Sequence, residues 1–161
     1  MVKQDIIVNK KYILIFCIIL ILDIYTKYWI LKNIKLYEHI YILPIFNILH
    51  VHNYGLAFNL FDYNHAIINE LFMINALFLL IILFIKHQKK NNKKDNYYYI
   101  MIFSGGIANI ISKLYYGFII DFIDLHLYNY HFFIFNLADI SILIGIIQIT
   151  KFDIKSYMKN K

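Results

Sequence analysis

Aspartates lie inside or beside the most apolar stretches of this chain. Asp139 sits in FNLAD (Phe135 to Asp139), within the run HFFIFNLADISILIGIIQIT, and Asp23, Asp121 and Asp124 occur in comparable settings. An ionisable group in hydrocarbon is costly and is a functional candidate by default. Two carboxyl groups held close together cannot both ionise cheaply, so one keeps a proton. The ionised partner can then take a proton from water as it attacks a peptide carbonyl, while the protonated partner donates to the developing oxyanion. This is aspartic-protease chemistry, and it requires no cofactor. On these grounds alone the partner of Asp139 could be Asp121, Asp124 or Asp23.

Other polar residues share faces with these acids. Asp23, Thr26 and Lys27 fall at i, i+3 and i+4, as do Asn109, Ser112 and Lys113, and Asn136 precedes Asp139 by three. Ser104, Ala108 and Ser112 form a small-residue stripe of the kind that lets helices approach closely. No Ser-His-Asp set, HExxH motif or Gly-rich phosphate loop is present. His50, His52, His65, His126 and His131 lack metal-ligand spacing, so no metal site is expected. The single cysteine, Cys17, reads as a small apolar residue. Asn69, Glu70 and Asn75 read as a water-reaching rim, and Asp62 as solvated.

These groups must be positioned by membrane-spanning elements. The chain is 61% hydrophobic with a mean hydropathy of +0.58, outside the soluble range. Four stretches have the roughly 20 apolar residues that a bilayer core demands: about 12–31, 66–85, 97–116 and 132–150. The first carries no small-residue cleavage site and continues past Asp23, so it reads as a span rather than a removable leader. Counted at the helical rise, Asp23, Asn109 and Asp139 each lie roughly 10 to 12 Å inside the outer boundary of their spans. Three helices thereby place a polar group at one level.

Lysine placement orients the spans. All 16 basic residues are lysines, and 12 of them fall before the first span, between the second and third, or after the fourth. By the positive-inside rule that side is the cytoplasm, with both termini on it. Topology and anionic lipid account for the basic loops, and no nucleic-acid partner is expected. Two segments lie outside. Residues 32–65, rich in β-branched and aromatic residues and carrying Pro44, predict short strands on the membrane surface. Residues 117–131, with Phe118, Phe122 and Leu125 at helical spacing, predict a short interfacial amphipathic helix. Residues 1–161 read as a single domain.

Five stretches in order carry a family resemblance: DIYTK (Asp23 to Lys27), HNYGLAF (His52 to Phe58), GGIANIISK (Gly105 to Lys113), GFIIDFID (Gly117 to Asp124) and FNLAD (Phe135 to Asp139). The chain resembles the lipoprotein signal peptidases, also called signal peptidase II or prolipoprotein signal peptidase. The resemblance implies an intramembrane aspartyl endopeptidase that cleaves the signal peptide of bacterial prolipoproteins just before the diacylglyceryl-modified cysteine. It implies an all-α membrane protein of four transmembrane helices, with a small periplasmic β-cradle and a short periplasmic helix. It further implies a monomer in the bacterial inner membrane, in contact with lipid, with its active site near the periplasmic face and no cofactor or metal. Carried over residue by residue, the catalytic dyad is Asp121 and Asp139. Asp23, Lys27, Asn53, Gly55, Asn109, Lys113 and Asn136 match positions that bind substrate or support the site. Two positions depart from the pattern, since Ser112-Lys113 replaces an Asp-Arg pair and His52 stands where an arginine is common. A degenerate, inactive relative that binds lipoprotein signal segments and a small transporter or proton-channel subunit are the competing readings.

Overall fold

The structure is a computed structural model and describes residues 10–54, 74, 77–83, 95–128 and 130–159. Helix α1 spans Lys10–Asn33, strands β1 and β2 span His39–Leu43 and Phe46–Asn53, and helix α2 spans Asp95–Tyr116. Strands β3 (Ile119–Leu127) and β4 (Tyr130–Phe135) follow, and helix α3 covers Leu137–Lys159. Residues 77–83, within the second predicted span, are helical.

Polarity in α1 is inverted relative to a soluble helix. Its buried residues are Asp23, Lys27 and Ile30, while Leu14, Ile18, Ile21, Leu22 and Tyr25 are exposed. A helix that turns its apolar side chains outward and its charges inward is solvated by lipid, not water. Its best 18-residue window has a mean hydropathy of 2.0, and it is long enough to cross a bilayer. Helix α2 packs between α1 and α3. The approach to α3 is so close that a Cβ on Gly105 would overlap the Ala138 carbonyl oxygen. Ala108 and Ser104 are fully buried on the small-residue stripe.

All four strands form one antiparallel sheet in the order β1-β2-β3-β4. Pro44 and Ile45 make the turn between β1 and β2, as the sequence leads one to expect of residues 32–65. The second outer segment is different. Residues 119–127 and 130–135 are a β-hairpin and not an amphipathic helix. Three apolar residues at helical spacing are outweighed by the free edge of β2, which takes β3 in register from Phe46↔Leu125 to Asn53↔Ile119. The β-branched run Ile119, Ile120 and Ile123 suits that pleated setting. Ile30 of α1 and Ile34 just beyond its end pack with Ile120 and Phe122 of β3 in a small buried cluster, which Leu137 at the start of α3 also touches. The sheet is thereby seated on the ends of the helices.

The fourth predicted span also starts in the wrong place. Phe132 belongs to β4, and the helix begins only at Leu137. Asp139 is therefore in the first turn of α3 and not seven residues inside a helix.

Gly117 joins α2 to the sheet. Its amide donates to the Lys113 carbonyl at 2.9 Å, and its φ of 80° lies in the left-handed region that glycine enters without strain. No neighbour would meet a Cβ there. The Gly117→Ala variant should therefore lose stability through backbone strain alone, by about 1–2 kcal/mol, read as a lower melting temperature in detergent with activity per folded molecule retained.

Candidate active site

Asn136 organises the site. It precedes the first residue of α3, and the sequence N-L-A-D places an acid three positions later, the reciprocal capping pattern of a helix start. The Asp139 amide donates to Asn136 Oδ1 at 3.0 Å, and the Asn136 amide donates to Asp139 Oδ2 at 3.1 Å. Both close the first turn of α3, whose positive dipole end faces the carboxylate. The remaining polar group of the side chain, Nδ2, donates to Asp121 Oδ1 at 2.6 Å. One fully buried asparagine thus touches both acids.

Asp121 comes from the other direction, from the middle of β3. Its second oxygen accepts from Asn53 Nδ2 on β2 at 2.9 Å. The two strands pair Val51 with Asp121 and Asn53 with Ile119, which puts the Asn53 side chain within reach. Burial pushes the Asp121 carboxyl up to about 7, and the nearby Asp139 carboxylate adds to the rise. Hydrogen bonds from Asn53 and Asn136 and the charge of Lys27 act against it.

A second chain of contacts supports Asp139 from below. Asn109 Nδ2 on α2 donates to Asp139 Oδ1 at 2.8 Å, and Lys27 Nζ on α1 donates to Asn109 Oδ1 at 2.7 Å. Lys27 also pairs with Asp23 Oδ2 at 2.7 Å, both side chains being buried. Asp23 Oδ1 accepts from the Ala138 amide at 2.8 Å, returning the chain to the first turn of α3. A lone buried carboxylate or ammonium would be very costly, but each here has a charged partner and further hydrogen bonds. Thr26 does not join the network. Its hydroxyl donates to carbonyls of its own helix, at Leu22 and Asp23.

The polar level inferred from span depth has a different basis. Asp23, Asn109 and Asp139 are joined through hydrogen bonds and the Lys27 ion pair, yet Asp139 sits in the first turn of α3. Of the three candidate partners for Asp139, only Asp121 shares Asn136 with it. Asp23 is committed to Lys27 and Ala138, and Asp124 accepts from His131 Nδ1 at 2.8 Å.

The departures from the family pattern have local explanations. The Ser112 hydroxyl donates to the Phe118 carbonyl at 3.2 Å, and Lys113 Nζ donates to the Tyr54 carbonyl at 2.7 Å, tying α2 to the end of β2. His52 stacks on Phe118 with ring centroids 3.5 Å apart. Burial, with His50 beside it, lowers its pKa to about 4, so it carries no charge at neutral pH and does not stand in for an arginine. Gly55, Asp62, His65, Asn69, Glu70 and Asn75 lie outside the described residues. Sequence reasoning missed the Ala138 amide as the anchor of Asp23. A backbone donor leaves no mark in side-chain spacing.

The sequence pattern of signal peptidase (SPase) II matches residues 15–154. The chain is similar to the lipoprotein signal peptidase of Wigglesworthia glossinidia brevipalpis, with 37% identity over 132 residues covering 82% of this chain and 86% of the relative. It is also similar to the lipoprotein signal peptidase of Buchnera aphidicola subsp. Schizaphis graminum (strain Sg), with 41% identity over 146 residues, 87% of this chain and 91% of the relative. A solved bacterial membrane enzyme superimposes with a TM-score of 0.76 at 27% identity, covering 96% of this chain and 93% of that one. A second superimposes with a TM-score of 0.74 at 30% identity, covering 89% and 92%.

Proposed function

We propose that this chain, which belongs to the signal peptidase II family, cleaves prolipoproteins with Asp121 and Asp139 as its catalytic pair. It is an aspartic endopeptidase of a membrane and removes the signal peptides of prolipoproteins. The observation that carries the residue assignment is that one buried residue, Asn136, donates to both carboxyl groups, to Asp121 from its side chain and to Asp139 from its backbone amide.

Asp121 holds the proton that the pair shares, and Asp139 acts as the base. Asp139 takes a proton from water as the water oxygen bonds to the scissile carbonyl carbon, and Asp121 gives its proton to the carbonyl oxygen. A gem-diol results, and the roles then reverse. Asp139 passes its proton to the departing amine nitrogen, Asp121 regains one from a hydroxyl, and the C–N bond breaks. The scissile bond lies just before a diacylglyceryl-modified cysteine, whose acyl chains remain in lipid beside the exposed apolar faces of the helices.

Four spans with both termini in the cytoplasm suit the lysine distribution and the inverted polarity of α1. The fourth span then starts at Leu137, and the sheet lies at the periplasmic face above the pair. The inner membrane of a bacterium is the setting this requires.

The test is complementation. The chain, expressed in a bacterium depleted of its own signal peptidase II, should restore conversion of prolipoprotein to its shorter form, and no conversion would overturn the reading. A pH profile of the purified enzyme supplies an independent check. The mechanism needs Asp121 protonated, and its carboxyl is held at about 7. Rate should therefore fall about tenfold per pH unit above about 7, while the need for ionised Asp139 sets a separate acid limb. A rate still rising through pH 8 would exclude Asp121 as the acid.

A further inference from the structure

We propose that Asp124, His126 and His131 form a binding site for one divalent transition-metal ion of the zinc type. The site is separate from the carboxylate pair. Asp124 and His126 stand at i and i+2 on β3, so their side chains leave the same face of the strand. His126 is the register partner of His131 on β4. Pairing across the hairpin brings together residues whose spacing in the sequence shows no metal motif. One ring nitrogen from each histidine and a carboxylate oxygen of Asp124 all lie within 4.8 Å of one another.

A second observation points into the same place. His126 is 8% exposed, and among the described residues its Nδ1 has no hydrogen-bond partner. Asp124 Oδ2 is 3.6 Å away, beyond hydrogen-bond reach. Oδ1 of Asn47, on the neighbouring β2, is likewise buried without a partner among the described residues. Both side chains line an open hollow of about 560 Å³ together with Asp124 and His131. Buried polar atoms without partners are rare, and an ion is one of the few things that satisfies several at once.

Ligand chemistry selects the ion. Two imidazoles and a carboxylate suit zinc and its neighbours in the transition series, and they are poor ligands for calcium or magnesium. Zinc bonds of about 2.0–2.1 Å in a tetrahedron set ligand atoms roughly 3.4 Å apart. The Asp124 to His126 separation already matches, and His131 must open from its 2.8 Å hydrogen bond with Asp124. Binding replaces that hydrogen bond with metal bonds, the His131 proton moving to Nε2 so that the ring stays neutral. Asn47 Nδ2, 3.4 Å from Asp124 Oδ2, supports the carboxylate from behind. The fourth position opens to the hollow.

The experiment uses the full chain without a histidine tag, in detergent, stripped with chelator and titrated with zinc chloride. One zinc per chain should bind, and zinc should raise the melting temperature. The His126→Gln/His131→Gln double variant should lower zinc affinity at least tenfold and abolish the rise in melting temperature. His50 and His52 form another close pair, with Nε2 atoms 3.1 Å apart. The His50→Gln/His52→Gln variant should bind zinc as the unmutated chain does. Binding that follows this second pair, or no stoichiometric binding at all, overturns the proposal. X-ray absorption of the cobalt-loaded unmutated chain decides the matter if the variants misfold, because a coordination sphere without two imidazoles is incompatible with the site.

Discussion

Replacing Asp139 by Asn should leave prolipoprotein unprocessed in a depleted host and reduce turnover of the purified enzyme by roughly 10³-fold or more, as with other residues that act as a unit. Asp121→Asn should do the same. An amide has the shape of a carboxyl group but can neither take a proton from water nor deliver one to an oxyanion. Combining the two changes should cost little more than either, because each alone removes the shared proton cycle. Folding is expected to survive. Asp121 is buried and held near neutrality by that burial, so a neutral side chain there removes a desolvation cost. Processing that persisted in both single variants, with prolipoprotein size followed on a gel, would exclude the pair.

The second large effect belongs to a residue that neither gives nor takes a proton. Asn136→Ala removes the cap of α3 and the bond to Asp121 together, and should cost about 1 kcal/mol of stability from the cap alone. Activity should fall about 10²-fold, since misplacement of a reacting group by an ångström has that effect. Asn136→Ser separates the two losses. A serine hydroxyl can still cap the helix, but it is too short to reach Asp121 at the same time. This variant should melt close to the unmutated chain while losing a similar factor in rate. Both variants withdraw a donor that favours ionised Asp121, so the alkaline limb of the pH profile should move to higher pH. Full activity in the serine variant would reduce Asn136 to a structural cap.

Legibility in the sequence varied with the range of the interaction. Strands in residues 32–65 were readable because a proline turn and β-branched runs act locally. Residues 117–131 were not, because whether Phe118, Phe122 and Leu125 lie on a helix or a strand depends on β2, more than sixty residues earlier. The start of α3 was readable in principle. N-L-A-D before an apolar run is a capping signal, but the apolar residues of β4 run into it and make the whole stretch resemble one span. Asp23, Lys27 and Asn109 fell correctly on inward faces, since helical periodicity alone fixes which side a residue takes. Nothing short of the strand register could bring His126 and His131 to Asp124.

The link from Lys27 through Asn109 to Asp139 has a consequence for proton traffic. Lys27 is held one side chain away from Asp139, and the group between them is a carboxamide, which donates and accepts hydrogen bonds but does not ionise. Asn136 and Asn53 bound Asp121 in the same manner. The field of the buried lysine therefore reaches the acids, while its protons do not. Among the described residues the groups bonded to the proposed catalytic pair do not ionise, so protons gained or lost during a turnover are expected to pass through the water and the peptide in the groove.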